Sequence, residues 1–152
     1  MGIKDFLKEV ERFPVILIDT NIVIYLLEDI PVYGKGAKEL FRLVQVGKIK
    51  AFLSVITVTE LLVKPMKAGN EELVNNIKLF LNHFPNLKLL DVSKEIALKA
   101  AEVRAATNLK VPDAMIIASA EVNSCPVVGN DLECARKSLM IPYIYLDKYF
   151  ES

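Results

Sequence analysis

The sequence predicts an α/β fold, a three-layer α/β/α sandwich on a mostly parallel central sheet of about five strands, in one domain over residues 1–152. Short β-branched runs alternate with helical stretches along the chain, the order that right-handed crossovers between parallel strands produce. Four of the five runs are continuously apolar rather than alternating, as strands covered on both faces are. No repeat, low-complexity tract or linker divides the chain.

MGIKDFLKEVERF (1–13) mixes charge and hydrophobe and reads as a short amphipathic helix. PVILID (14–19) is the first strand and IVIYLLE (22–28) the helix after it. GAKELFRLVQVG (36–47) is a helix with Gly47 as its C-terminal stop. KAFLSV (50–55) is the second strand, and VTELLVKPMKAG (58–69) a helix that Pro65 is expected to kink. Gly69 ends that helix and Asn70 caps the next, EELVNNIKLFLNHF (71–84), so the two form an α-hairpin. KLLDV (88–92) is the third strand, followed by two helices, SKEIALKAAEVRAATN (93–108) and PDAMIIASAEVN (112–123). PVVGN (126–130), the helix LECARKSL (132–139) and the strand PYIYL (142–146) complete the chain.

A hydrophobic fraction of 53% and a mean hydropathy of +0.34 predict a large core, an apolar interface, or both. No apolar run approaches the roughly 18 residues of a membrane span, because Asp19 cuts the longest candidate. The N-terminus has neither a signal-peptide core nor an acylation signal, so a cytoplasmic protein is expected. Nineteen basic and nineteen acidic side chains cancel, and any nucleic-acid site has to be a local patch. Cys125 and Cys134 lack C-x-x-C spacing and histidine neighbours, which argues against zinc or a disulfide framework and for a reducing compartment. The single histidine, His83, lies near a helix end beside Pro85 and reads as a capping or half-buried structural residue rather than a catalyst.

An open parallel sheet binds ligands beyond the carboxyl ends of its strands. Asp19 ends the first strand, Glu60 lies one helical turn beyond the second, and Asp131 follows the fourth. Asp113 opens a helix that follows another helix, and spacing alone does not place it with the others. Each acid has a simple local role: Asp19 and Asp131 as N-caps, Thr57 to Glu60 as a capping box, Asp113 as a first-turn acid after Pro112. Such placements stabilise by about 0.3–1 kcal/mol. Two carboxylates about 4 Å apart repel by roughly 4 kcal/mol at an effective dielectric near 20, so a converging set needs a cation or a proton. Oxygen donors without Cys or His favour Mg²⁺ or Mn²⁺, and such an ion in a crevice points to phosphoryl chemistry.

LIDTNIVIYLL, SVITVTELL, VPDAMIIASA and VVGNDLECA, four blocks in this order, resemble the PIN domain family, and within it the small single-domain ribonucleases of the VapC toxin type. The resemblance runs along the whole chain and implies that Asp19, Glu60, Asp113 and Asp131 form an acidic metal site, which supplies the placement of Asp113. It makes Thr20, Asn21 and Asn130 the residues that brace those acids. Two positions depart from the pattern: Gly129 stands where the family commonly has Thr or Ser, and Cys134 where an aromatic is frequent. Glu133, in the same turn, offers a second carboxylate beside Asp131, although a solvated helix-face glutamate is its plainer reading.

The implied activity is that of a metal-dependent endoribonuclease, using Mg²⁺ or Mn²⁺ to hydrolyse RNA phosphodiester bonds and leave 5′-phosphates. Phosphate contacts would come from among Lys35, Lys38, Arg42, Lys64, Lys67, Arg104, Lys110, Arg136 and Lys137, with Arg104 the first candidate for RNA contact. A toxin of this type implies an antitoxin partner lying across the active-site face, and a homodimer is expected. The apolar stretches FLKEVERF and LLVKPMKAG could serve such surfaces, with ordinary core as the plainer account. An RNA-processing nuclease without a toxin role, or a catalytically silent RNA- or protein-binding module, are the alternatives. A haloacid-dehalogenase phosphatase would have an Asp where Asn21 stands, and a receiver domain an acid pair near its first strand, so both are set aside.

Overall fold

The computed structural model describes residues 2–138 and 140–150. Five strands, β1 (Val15–Ile18), β2 (Lys50–Ser54), β3 (Leu87–Leu90), β4 (Val127–Gly129) and β5 (Tyr143–Tyr145), form one sheet in the order β3-β2-β1-β4-β5. Every pairing is parallel, because every connection between consecutive strands carries at least one helix. Among the described residues the helices are α1 (Ile3–Glu11), α2 (Thr20–Glu28), α3 (Tyr33–Gln45), α4 (Val55–Lys67), α5 (Glu71–His83), α6 (Lys94–Thr107), α7 (Val111–Val122) and α8 (Leu132–Lys137). A 3₁₀ turn at Leu146–Tyr149, absent from the sequence-based expectation, follows β5.

Successive strand residues point to opposite faces, and the core divides accordingly. Ile16 and Ile18 of β1, Ala51 and Leu53 of β2, Val128 of β4 and Ile144 of β5 pack under α1 to α5. Leu17 and Val127 face the other way, onto Ile116 and Ala120 of α7. Small side chains let α7 approach the sheet closely, while the first face is thick with aromatics such as Phe6, Phe41 and Tyr149. The two stretches considered as possible interfaces are partly core: Phe6, Val10, Leu61, Leu62 and Pro65 are buried, whereas Val63 and Met66 remain exposed.

Several helices start earlier than the hydrophobic pattern suggests. Helix α2 starts at Thr20 rather than Ile22, α3 at Tyr33 rather than Gly36, and α4 at Val55 rather than Val58. In α2 and α4 the cause is local: Asp19 and Ser54 at the strand ends accept hydrogen bonds from Thr20 N–H and Ile56 N–H, so capping cuts the strands short and starts the helices at once. The expected capping box from Thr57 to Glu60 therefore does not form, since both residues lie inside α4. Gly69, at φ +67°, ends α4, and Asn70 accepts from Leu73 N–H to start α5, as the spacing predicts. Helix α4 runs through Pro65 to Lys67, and His83 is the exposed last residue of α5. Helix α8 stops at Lys137; the expected residue Leu139, like Met1 and the last two residues, lies outside the described set. No described helix is long and apolar enough to cross a membrane.

Candidate active site

Chain direction across the sheet reverses between β1 and β4. From β1 the chain moves outward through β2 to β3, and from β4 it moves the other way to β5. The helices leaving two neighbouring strands diverge there and open a crevice at the carboxyl edge. The register that pairs Leu17 with Val127 and Ile18 with Val128 brings Asp19 level with Gly129, so Asp19 and Asp131 stand on either side of that crevice.

Asp19 is 6% exposed, and its Oδ1 accepts from Thr20 N–H at 2.7 Å as the N-cap of α2. Asp131 caps α8, its Oδ1 accepting from Cys134 N–H at 3.0 Å. Each cap occupies one carboxylate oxygen and leaves the other available, so capping and a further role coexist. Asp113 is half-buried in the first turn of α7. That helix enters β4 after a link of four residues, 123–126, so it runs antiparallel to the strands and begins at their carboxyl edge. The short link was the available signal for Asp113. Glu60, on α4, accepts from Thr20 Oγ1 at 2.7 Å, and Thr20 Oγ1 in turn shares a 2.7 Å hydrogen bond with the fully buried Thr57 Oγ1.

The four acids feel one another. Burial, followed by the charges of Asp113, Glu60 and Asp131, raises Asp19 to about 7 against the opposing Thr20 N–H bond. Asp113 is also raised, by burial first and then by Asp131 and Glu60, with Lys110 pulling the other way. Carboxylate oxygens of Asp113 and Asp131 and the sulfur of Cys134 lie within 4.8 Å of one another. Burial, followed by the surrounding carboxylates, pushes the Cys134 thiol up. What remains is a set of hard oxygen donors that suits Mg²⁺ or Mn²⁺. The N-termini of α2, α7 and α8 converge on the same edge and offset part of the repulsion.

Of the expected braces, Thr20 ties Asp19 to Glu60. Asn21 leaves its buried Oδ1 without a hydrogen-bond partner among the described residues. Asn130 turns away from the acids: its Nδ2 donates to Tyr25 Oη at 3.0 Å and its Oδ1 accepts from Asp147 N–H at 2.7 Å, which ties the loop to the 3₁₀ turn. Glu133 ion-pairs with Lys137 at 2.9 Å on the outer face of α8. Lys38, Arg42 and Lys64 are also paired with acids, whereas Arg104 is exposed without an ion-pair partner among the described residues. Sequence reasoning missed Tyr143. Its hydroxyl accepts from Asp131 N–H at 3.1 Å and donates to Asp19 Oδ2 at 3.4 Å.

The sequence model of the PIN domain matches residues 16–138, which span β1 to α8 and all four acids. The chain belongs to the PIN domain family. No curated protein matches it significantly in sequence. Among solved structures, this PIN domain is similar to a DNA-bound VapBC from Salmonella typhimurium, with TM-score 0.70, 23% identity, and coverage of 86% of this chain and 97% of the other. It is also similar to FitAcB from Neisseria gonorrhoeae, with TM-score 0.67, 23% identity and coverage of 84% and 96%. A toxin–antitoxin complex from Klebsiella pneumoniae gives TM-score 0.66, 23% identity and coverage of 85% and 97%. At these identities the likeness establishes the fold.

Proposed function

We propose that this PIN domain is a metal-dependent endoribonuclease that hydrolyses RNA phosphodiester bonds and serves as the toxin of a type II toxin–antitoxin pair. The observation that carries the reading is the convergence of Asp19, Asp113 and Asp131, from three helix starts, and of Glu60, from the second turn of α4, on the switch point of a parallel sheet. Asp19, Asp113, Asp131 and Glu60 would hold Mg²⁺ or Mn²⁺, which supplies Lewis acidity toward water and phosphodiester oxygens when bound. The protein's own share is orientation. Thr20 fixes Asp19 and Glu60 relative to each other, and the caps hold the carboxylates of Asp19 and Asp131 against rotation. Lys110, beside Asp113, and the exposed Arg104 would supply positive charge for RNA phosphates around an acidic centre.

The toxin assignment is supported by the solved neighbours, among them a toxin–antitoxin complex and a DNA-bound VapBC. An apolar cleft of about 320 Å³ lined by Ile24, Leu27, Leu61 and Leu73 reaches Glu60 and offers a path for an antitoxin segment to the acids. The decisive experiment incubates the protein with labelled RNA in Mn²⁺ or EDTA and repeats it with Asp19→Asn. Metal-dependent cleavage by wild type alone supports the reading. Equal cleavage by both proteins removes the site assignment, and no cleavage of any RNA moves the protein to the silent binding module. Growth arrest on expression, relieved by a co-expressed small neighbouring gene product, separates a toxin from a processing enzyme.

A further inference from the structure

The geometry points to Tyr143 as a positioning residue of the acid site: its phenol occupies the space left open by Gly129 and fixes Asp19 and Asp131 relative to each other. This role rests on the metal-site reading above and adds a residue beyond the span, 16–138, that the family's sequence model covers.

The register explains how a side chain from β5 reaches β1. Asp19, Gly129 and Tyr143 share a sheet face, because each is an even number of residues from Leu17 or Val127 on that face or paired with it. Tyr143 pairs with Val127, two residues before Gly129, so its ring has to extend along the strand direction to come near Asp19. Only glycine permits this. A Cβ at position 129 would lie 2.2 Å from Tyr143 Oη, 2.9 Å from Cζ and 3.0 Å from Asp19 Cβ. The hydroxyl then accepts from Asp131 N–H and donates to Asp19 Oδ2, the oxygen that the Thr20 cap leaves free. One phenol thus joins the two sides of the crevice across 124 residues of sequence. A side-chain hydroxyl, absent from position 129 itself, reaches the same place from the neighbouring strand.

The test measures Mn²⁺ affinity of the full chain by electron paramagnetic resonance and calorimetry, together with thermal melting in EDTA, for wild type, Tyr143→Phe and Gly129→Ala. Tyr143→Phe keeps the ring and removes the hydroxyl. It should bind Mn²⁺ about tenfold more weakly with little change in melting, as loss of a group that orients metal ligands does. Gly129→Ala, which drives the hydroxyl off Asp19, should weaken Mn²⁺ binding in the same direction. Mn²⁺ affinity of Tyr143→Phe within about threefold of wild type would overturn the role, and the tyrosine would then be a packing residue. Absence of Mn²⁺ binding by the wild type overturns the metal site and this role together. Wild-type Mn²⁺ binding that survives the phenylalanine substitution overturns this role alone.

Discussion

The two edges of the sheet are built from different materials. At the amino edge, Pro14, Pro126 and Pro142 precede β1, β4 and β5, and their carbonyls accept from Lys50, Leu17 and Val127 N–H at 2.9–3.1 Å. Asn86, before β3, sits at φ +62° and its side chain donates to Val44 and Gln45 carbonyls while its own carbonyl accepts from Ala51 N–H. Rigid φ angles and matched donors leave that edge quiet. At the carboxyl edge β1 and β4 lead into Asp19 and Asp131, which with Asp113 of α7 and Glu60 of α4 form a set of mutually repelling carboxylates, Asp19 being buried and raised to about 7. On the proposed function, the contrast divides stability and chemistry between the two edges of the sheet, and substitutions should separate them.

The largest separation is expected from Asp19→Asn. Cleavage of labelled RNA should fall by about 100- to 1,000-fold, as when a key electrostatic group is lost from an active site. Metal-free stability at pH 8 should rise rather than fall, because a buried repelling charge is gone; chemical denaturation in EDTA checks both signs. Next in size is the pH dependence of the metal-free wild type. Asp19 stands at about 7 in the folded protein against an ordinary 3.8, so the folded state binds its proton more tightly than the unfolded state. The associated stability is complete below about pH 4 and is lost as the pH rises through 7, a swing on the order of a few kcal/mol. Added Mn²⁺ should reverse the trend at pH 8 and do little at pH 5; a flat profile in EDTA would show that the carboxyl edge carries no such strain.

Thr20→Val removes the bond to Glu60 and strands the buried Thr57 hydroxyl. It should lower Mn²⁺ affinity about tenfold and stability by about 1–3 kcal/mol. Asn86→Ala is the amino-edge counterpart: about 1–2 kcal/mol of stability lost in denaturant titrations, with the cleavage rate of the folded protein unchanged. A matching loss of cleavage would break the division between the edges. Smallest is Arg104→Ala, which should leave melting unchanged and reduce the slope of log RNA affinity against log salt by about 0.7–1.

Much of this was legible in the chain because it depends on neighbours within a turn or two. Apolar runs marked the strands, although only the central β1 and β4 are buried on both faces while the edge strands β3 and β5 stay partly exposed, and Gly69-Asn70 marked a helix end and start. The ends of the strands were less legible where a polar residue could serve either strand or cap: Asp19 and Ser54 start their helices earlier than the apolar period suggested. For the same reason the Thr57–Glu60 spacing, which fits a capping box, belongs to the interior of α4 and is used on Thr20.

By itself the sequence determined the α/β alternation, the parallel sheet and the placing of Asp19, Glu60 and Asp131 near strand ends, since periodicity and capping act locally. Spacing and capping left Asp113 unplaced, with only the family resemblance and the short link to β4 as signals; the tertiary structure brings it to the others through the direction in which α7 returns to β4. It alone decided that Tyr143 spans Gly129 to Asp19, a contact set by strand order and register between residues 124 apart. No local rule carries information over that distance; hydrogen-bonded pairing across the sheet does.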